Sequence, residues 1–238
     1  MDELKELVTK LERALHDRLV SVVLYGSAAS DADHHSRFSD LNILCVLKQI
    51  TPQELMDGEP ILRWWSAKGH PSPLLLSEQE VHGSADCFPI EFRDMKDRRK
   101  VLYGVDVIAD IRIDTKYYRA HLEHELRSKL LRLRQQGAQR LSDPEALLKL
   151  CLDSVSTFCV LGRHALLAAG VDAKVERRAV VHQLGARIQM DVKPLEILLD
   201  LREDKSGAES GDPGELFAKY LECVQRLVEF VDRLEEAR

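Results

Sequence analysis

The chain has 238 residues, 45% hydrophobic, 5% aromatic and 31% charged, with a formal net charge of −6. That length holds one large domain or two modest ones, each with its own core, and the acidic balance argues against a surface built to grip nucleic-acid phosphates. No apolar run approaches the roughly 20 residues that cross a bilayer, and residues 1–18 are charged and amphipathic rather than signal-like, so a cytoplasmic protein with no membrane partner is expected.

Leu4, Leu7, Val8, Leu11 and Leu15 recur at helical spacing, which predicts an amphipathic first helix. Residues 19–25 are short, rich in Val and Leu, and stop at Gly26, the pattern of a strand buried on both faces. After a polar loop a second strand is expected over 40–47. A helix follows over 51–68, with Thr51 as its N-cap and Pro52 in its first turn. Pro71 and Pro73 break the chain. A short third strand is expected over 74–76, a helical turn from Ser77, a fourth strand over 87–95 with Glu91 at its middle, and a fifth over 107–113.

From Thr115 onward only the helical period continues. Leu122, Leu126, Leu130 and Leu133 mark one helix, with Glu123/Arg127 and Glu125/Lys129 as supporting pairs. Ser142, Asp143 and Pro144 open a second helix that Gly170 ends. Helices over 173–190 and 192–202 follow, and Asp212 and Pro213 lead into a last one. The fold class expected is α+β, with a mixed sheet over 1–115 followed by an all-α helical bundle over 116–238. The long amphipathic helices could pair with a second copy as readily as with their own domain, so a homodimer is one arrangement they allow.

The five cysteines are odd in number and lack metal-site spacing, so all are expected as buried hydrophobes. Trp64 and Trp65 are adjacent and cannot share one helix face; one should be buried and the other should line a seam or pocket. His34 and His35 in the polar loop, and His121 and His124 in the bundle, read as solvated.

The residues that suggest chemistry are Gly26, Ser27, Asp40, Asn42 and Glu91. Alternate residues of a strand share a face, so Asp40 and Asn42 are expected side by side, about 7 Å apart at the backbone. The same alternation, applied to a strand over 87–95, puts Glu91 and Arg93 on one face, and neighbouring strands would bring Asp40, Asn42 and Glu91 together. A Gly-Ser turn beside them could admit a phosphate. Phosphoryl transfer uses this combination of an anion seat beside a metal seat.

These residues resemble the DNA polymerase beta-like nucleotidyltransferases, whose small bacterial members include antibiotic adenylyltransferases. The family pattern is a strand, Gly-Ser, a loop of about a dozen residues, a strand bearing Asp-x-Asp, and a later strand with a third carboxylate. The resemblance implies transfer of a nucleoside monophosphate from an NTP to a hydroxyl of a small molecule or protein, with Mg2+ or Mn2+. It implies that Gly26 and Ser27 hold phosphate, that Asp40, Asn42 and Glu91 ligate metal, and that Glu91 alternatively acts as base. Arg93 joins the nucleotide-binding set. The bundle would form the acceptor side.

The sequence departs from the family at Asn42, where the second aspartate is expected. Losing one negative charge beside a divalent ion weakens transition-state stabilisation, and a loss of about 3 kcal/mol corresponds to a rate roughly 150-fold lower. Two readings follow: a slowed enzyme, or a degenerate domain that binds nucleotide or a protein partner without turnover.

Overall fold

The computed structural model describes residues 2–29, 41–113, 116–203, 205 and 209–234, except for the side chains of Asp2 and Ser27. The chain forms two compact units, Met1–Asp114 and Thr115–Arg238. The architecture is α+β in the first unit and helical in the second. No described helix is long and apolar enough to cross a membrane.

In the first unit, helix α1 (Asp2–Leu15) is followed by strand β1 (Leu19–Tyr25). Strand β2 (Asn42–Leu47) leads to helix α2 (Pro52–Ala67), strand β3 (Leu74–Ser77), helices α3 (Glu78–Gly83) and α4 (Pro89–Asp97), and strand β4 (Arg99–Gly104). The sheet order is β3-β2-β1-β4. β1 is antiparallel to both β2 and β4, whereas β2 and β3 run parallel.

Both faces of the sheet are covered, which is why β1 and β2 are continuous apolar runs rather than alternating ones. Leu19, Val22, Leu24, Ile43, Cys45 and Leu47 pack with Leu7, Leu11 and Leu15 of α1 and with Ile61 and Trp65 of α2. On the other face Val23, Leu44 and Val46 meet Val81, Phe92 and Met95, with Ile108 and Ile111 closing that core. Trp65 is fully buried, its indole N–H donating to the Pro71 carbonyl at 3.0 Å. Trp64 is partly buried, with the ammonium groups of Lys10 and Lys68 4.9 and 5.2 Å from its ring centre.

Three expectations are corrected here. Residues 87–95 contain no strand: Pro89 fixes a helical φ and lacks the N–H that a ladder would use, and it starts α4. Phe88, Ile90 and Phe92 imitate a two-residue period, but the buried set Pro89, Ile90, Phe92 and Met95 follows helical spacing. Residues 107–113 form turns instead of a strand. Asp106 accepts from the Ile108 N–H at 3.2 Å, a local bond that competes with extended pairing. The fourth strand is β4, whose charged beginning at Arg99 and Lys100 suits a sheet edge. β4 ends at Gly104, where φ is +74° and a Cβ would lie 1.9 Å from the Val20 carbonyl oxygen, leaving room only for glycine.

In the second unit, helices α5 (Tyr118–Ala138), α6 (Pro144–Ala168), α7 (Arg177–Ile188), α8 (Lys193–Arg202) and α9 (Pro213–Asp232) bury one shared core. Asp143 and Asp212 cap α6 and α9, accepting from the N–H groups of Ala146 and Glu215 at 3.0 and 3.1 Å. Glu123–Arg127 and Glu125–Lys129 form ion pairs at 2.7 and 3.8 Å. Cys45, Cys151, Cys159 and Cys223 are buried, as their apolar surroundings suggest. Cys87 is exposed, because its segment is a turn at the surface instead of a strand.

Arg18 joins the start of α2 to the end of α1, reaching Glu54 at 2.9 Å and Asp57 at 2.6 Å. Glu54 also accepts from the Thr51 N–H at 2.9 Å and from the Thr51 hydroxyl, completing a capping box. These bonds, first Thr51 and then Arg18, lower the Glu54 carboxyl from its ordinary 4.5 to about 2. A carboxyl lowered on folding stabilises the fold fully above its unfolded value, and this is lost as pH falls. Glu54→Gln therefore gives a lower urea midpoint than wild type at neutral pH, and the two midpoints converge as pH falls from 4.5 through about 2. A constant gap across that range contradicts this role.

Candidate functional site

β1 ends at Tyr25, and Gly26 follows with φ +80°, a left-handed conformation that L side chains rarely adopt. Its N–H donates to the Arg98 carbonyl at 3.1 Å, and its own carbonyl accepts from the Ala29 N–H at 3.1 Å. That second bond closes the 3-10 turn Ser27–Ala29. The Gly26 N–H is thus engaged within the protein and is not offered to a phosphate.

Asn42, the first residue of β2, is half-buried and directly opposite Tyr25 in the antiparallel ladder. Opposed residues of an antiparallel pair project to one face, so the amide and the phenol share a side of the sheet. The Asn42 amide also lies on the bare α-carbon of Gly26: a Cβ there would stand 3.3 Å from Asn42 Nδ2. Arg99 is opposite Tyr25 on the β4 side. Its guanidinium grips Asp106 with two bonds, at 2.9 and 2.8 Å, and donates to the Lys96 carbonyl at 2.8 Å. Arg99 in turn holds the Asp106 carboxyl below its ordinary value.

The acidic residues near this row belong to α4. Burial, followed by the negative charges of Glu91 and then Asp94, raises the Tyr25 phenol above its ordinary value. Glu91 and Asp94 are three apart on the helix and so share a side of it. Glu91 is exposed. The shared face expected for Glu91 and Arg93 is overturned, since residues two apart on a helix diverge by about 200°. Arg93 instead lies 3.5 Å from Asp97.

The structure therefore brings Gly26 and Asn42 into contact and places Glu91 on a helix beside Tyr25. Asp40 and the Ser27 side chain lie outside the described residues, as do His34 and His35. Tyr25, missed by sequence reasoning, was signalled only by being an aromatic strand terminus before a glycine.

The fit to a pair of magnesium ions is poor among the described residues. They contain no group of three or more His, Cys, Asp or Glu side chains able to hold a metal. Asn42 offers a neutral oxygen, and its amide nitrogen is the atom turned to Gly26. A hard divalent cation prefers several oxygen donors with carboxylates among them, which this set lacks.

No protein-family model matches the sequence, and no curated protein matches it. Among solved structures, the chain is similar in fold to spectinomycin adenyltransferase AAD(9) from Enterococcus faecialis, determined with ATP and spectinomycin. The TM-score is 0.60 at 13% identity, covering 95% of this chain and 99% of that one. The likeness establishes a nucleotidyltransferase-like fold followed by a helical region.

The contact at Gly26 is testable by comparison with Gly69, which has φ +89° but open space around it. Gly69→Ala reports the backbone strain alone, about 1 kcal/mol. Gly26→Ala adds the displacement of Asn42 and lowers stability further in urea unfolding. Equal losses contradict a close Asn42–Gly26 contact.

Proposed function

We propose that the protein is a nucleotidyltransferase that moves a nucleoside monophosphate from an NTP to a hydroxyl of a small molecule, releasing pyrophosphate. The observation that carries this reading is the contact of Asn42 with Gly26 at the head of the β1/β2 pair, within a fold matched along 95% of the chain to an adenyltransferase. That neighbour's own ligands, ATP and spectinomycin, make ATP and an aminocyclitol hydroxyl the first substrates to test.

The acceptor oxygen attacks the α-phosphorus, a new P–O bond forms, and the bond to the β-phosphate bridging oxygen breaks as pyrophosphate leaves. The hydroxyl proton passes to a base, and the exposed Glu91 carboxylate on α4 is the proposed acceptor. Ser27 is proposed to hold phosphate beside Gly26. Arg93 is proposed to reach the nucleotide by exchanging its loose contact with Asp97 for phosphate oxygens. Asp40 is proposed as the principal holder of magnesium or manganese; the described residues do not build that seat, so no step is assigned to an ion.

Asn42 leaves the site with less negative charge than the family pattern, which favours slow turnover. Incubation with α-labelled NTPs, magnesium or manganese, and spectinomycin among a panel of hydroxyl acceptors should transfer label slowly. Asn42→Asp should raise the rate by on the order of 100-fold, the gain corresponding to about 3 kcal/mol. Absence of transfer from all four NTPs to every acceptor, in wild type and variant alike, would contradict the proposal.

A further inference from the structure

The poor fit to paired magnesium ions carries its own consequence, which rests on the nucleotide reading above. Asn42 is fixed by the Tyr25 pairing in the β1/β2 ladder, and its Nδ2 lies against the α-carbon of Gly26. The Gly26 N–H is already bonded to the Arg98 carbonyl, so this glycine contributes an uncluttered surface and no donor. The donor at that spot is the Asn42 amide. It carries no charge, whereas an aspartate there would repel a triphosphate unless a cation stood between them.

From these contacts we infer that Asn42 is a phosphate-binding residue: it donates a hydrogen bond through Nδ2 to the triphosphate beside Gly26, replacing an ion-mediated contact with a direct one. Nucleotide binding at this turn consequently does not depend on a divalent ion. The acidic charges acting on Tyr25 come from Glu91 and Asp94 of α4, not from the start of β2. Phosphate therefore approaches from the Gly26 side, where the described side chain is the neutral amide. An amide also presents a donor at every pH that leaves the protein folded, unlike a carboxylate, which accepts only.

The test is calorimetric titration of the intact protein with ATP, in excess chelator and again in magnesium, for wild type, Asn42→Asp and Asn42→Ala. Wild type should bind in chelator within about threefold of its affinity in magnesium. Asn42→Asp should lose at least about tenfold in chelator and recover when magnesium is added, because the ion screens the restored carboxylate. Asn42→Ala, which removes the donor without adding charge, should be weakened by a similar factor in both buffers. Far-UV circular dichroism of the variants checks that the fold is kept.

Wild-type binding that requires magnesium, with Asn42→Asp no weaker than wild type in chelator, overturns the inference and leaves the nucleotidyltransferase reading standing. Failure of wild type to bind any of the four NTPs in either buffer overturns that reading, and the inference with it.

Discussion

The antiparallel register of Tyr25 against Asn42 is the constraint on which the site depends. Because opposed residues share a face, this single pairing sets the direction of the Asn42 amide, the direction of the Tyr25 phenol and the point at which the chain must turn away as Gly26. Gly26 can turn only because its left-handed φ costs a glycine nothing, and its missing side chain is what Asn42 occupies. The register itself is enforced from below. A slip of one residue would exchange the two sets of core side chains, Val22 and Leu24 on one face for Val23 on the other, and both cores are closed.

The second feature is where the charge resides. In the resemblance read from sequence, carboxylates lie on strands and converge on metal. In the structure, the described carboxylates next to the site are on α4, acting on the Tyr25 phenol, while the head of β2 presents an amide. Arg99, a cation in the same three-strand row, is neutralised by Asp106. The face thus has a neutral donor at one end, a phenol in the middle and a satisfied ion pair at the other. Such a surface can recognise a phosphate by hydrogen bonding with less reliance on countercharge than a carboxylate pair would need.

Much of the fold was legible in the sequence because its signals are local. The β1 and β2 runs, the Thr51 cap with Pro52, and the Asp-Pro starts of α6 and α9 each encode an element within a few residues. The segment over 87–95 misled because its apolar residues fit two periods at once, and Pro89 outweighed the apparent alternation. β4 was hidden for a different reason. Its Arg99 and Lys100 read as part of a solvated basic helix, although charges also mark a sheet edge, and its closing Gly104 makes sense only once Val20 is known to lie against it. At the site, Gly26 and Asn42 were recognisable from spacing. Tyr25 was not, since its role follows from a register that pairs residues far apart in sequence.

The central claim is that a nucleotide triphosphate rests at the head of the β1/β2 pair. A crystal structure of the protein with manganese and a non-hydrolysable ATP analogue tests it most directly. The account predicts a triphosphate oxygen about 3 Å from Asn42 Nδ2, beside Gly26 and on the face shared with Tyr25. A triphosphate bound elsewhere on the chain, or one at this turn with the Asn42 amide directed away from it, would contradict the account.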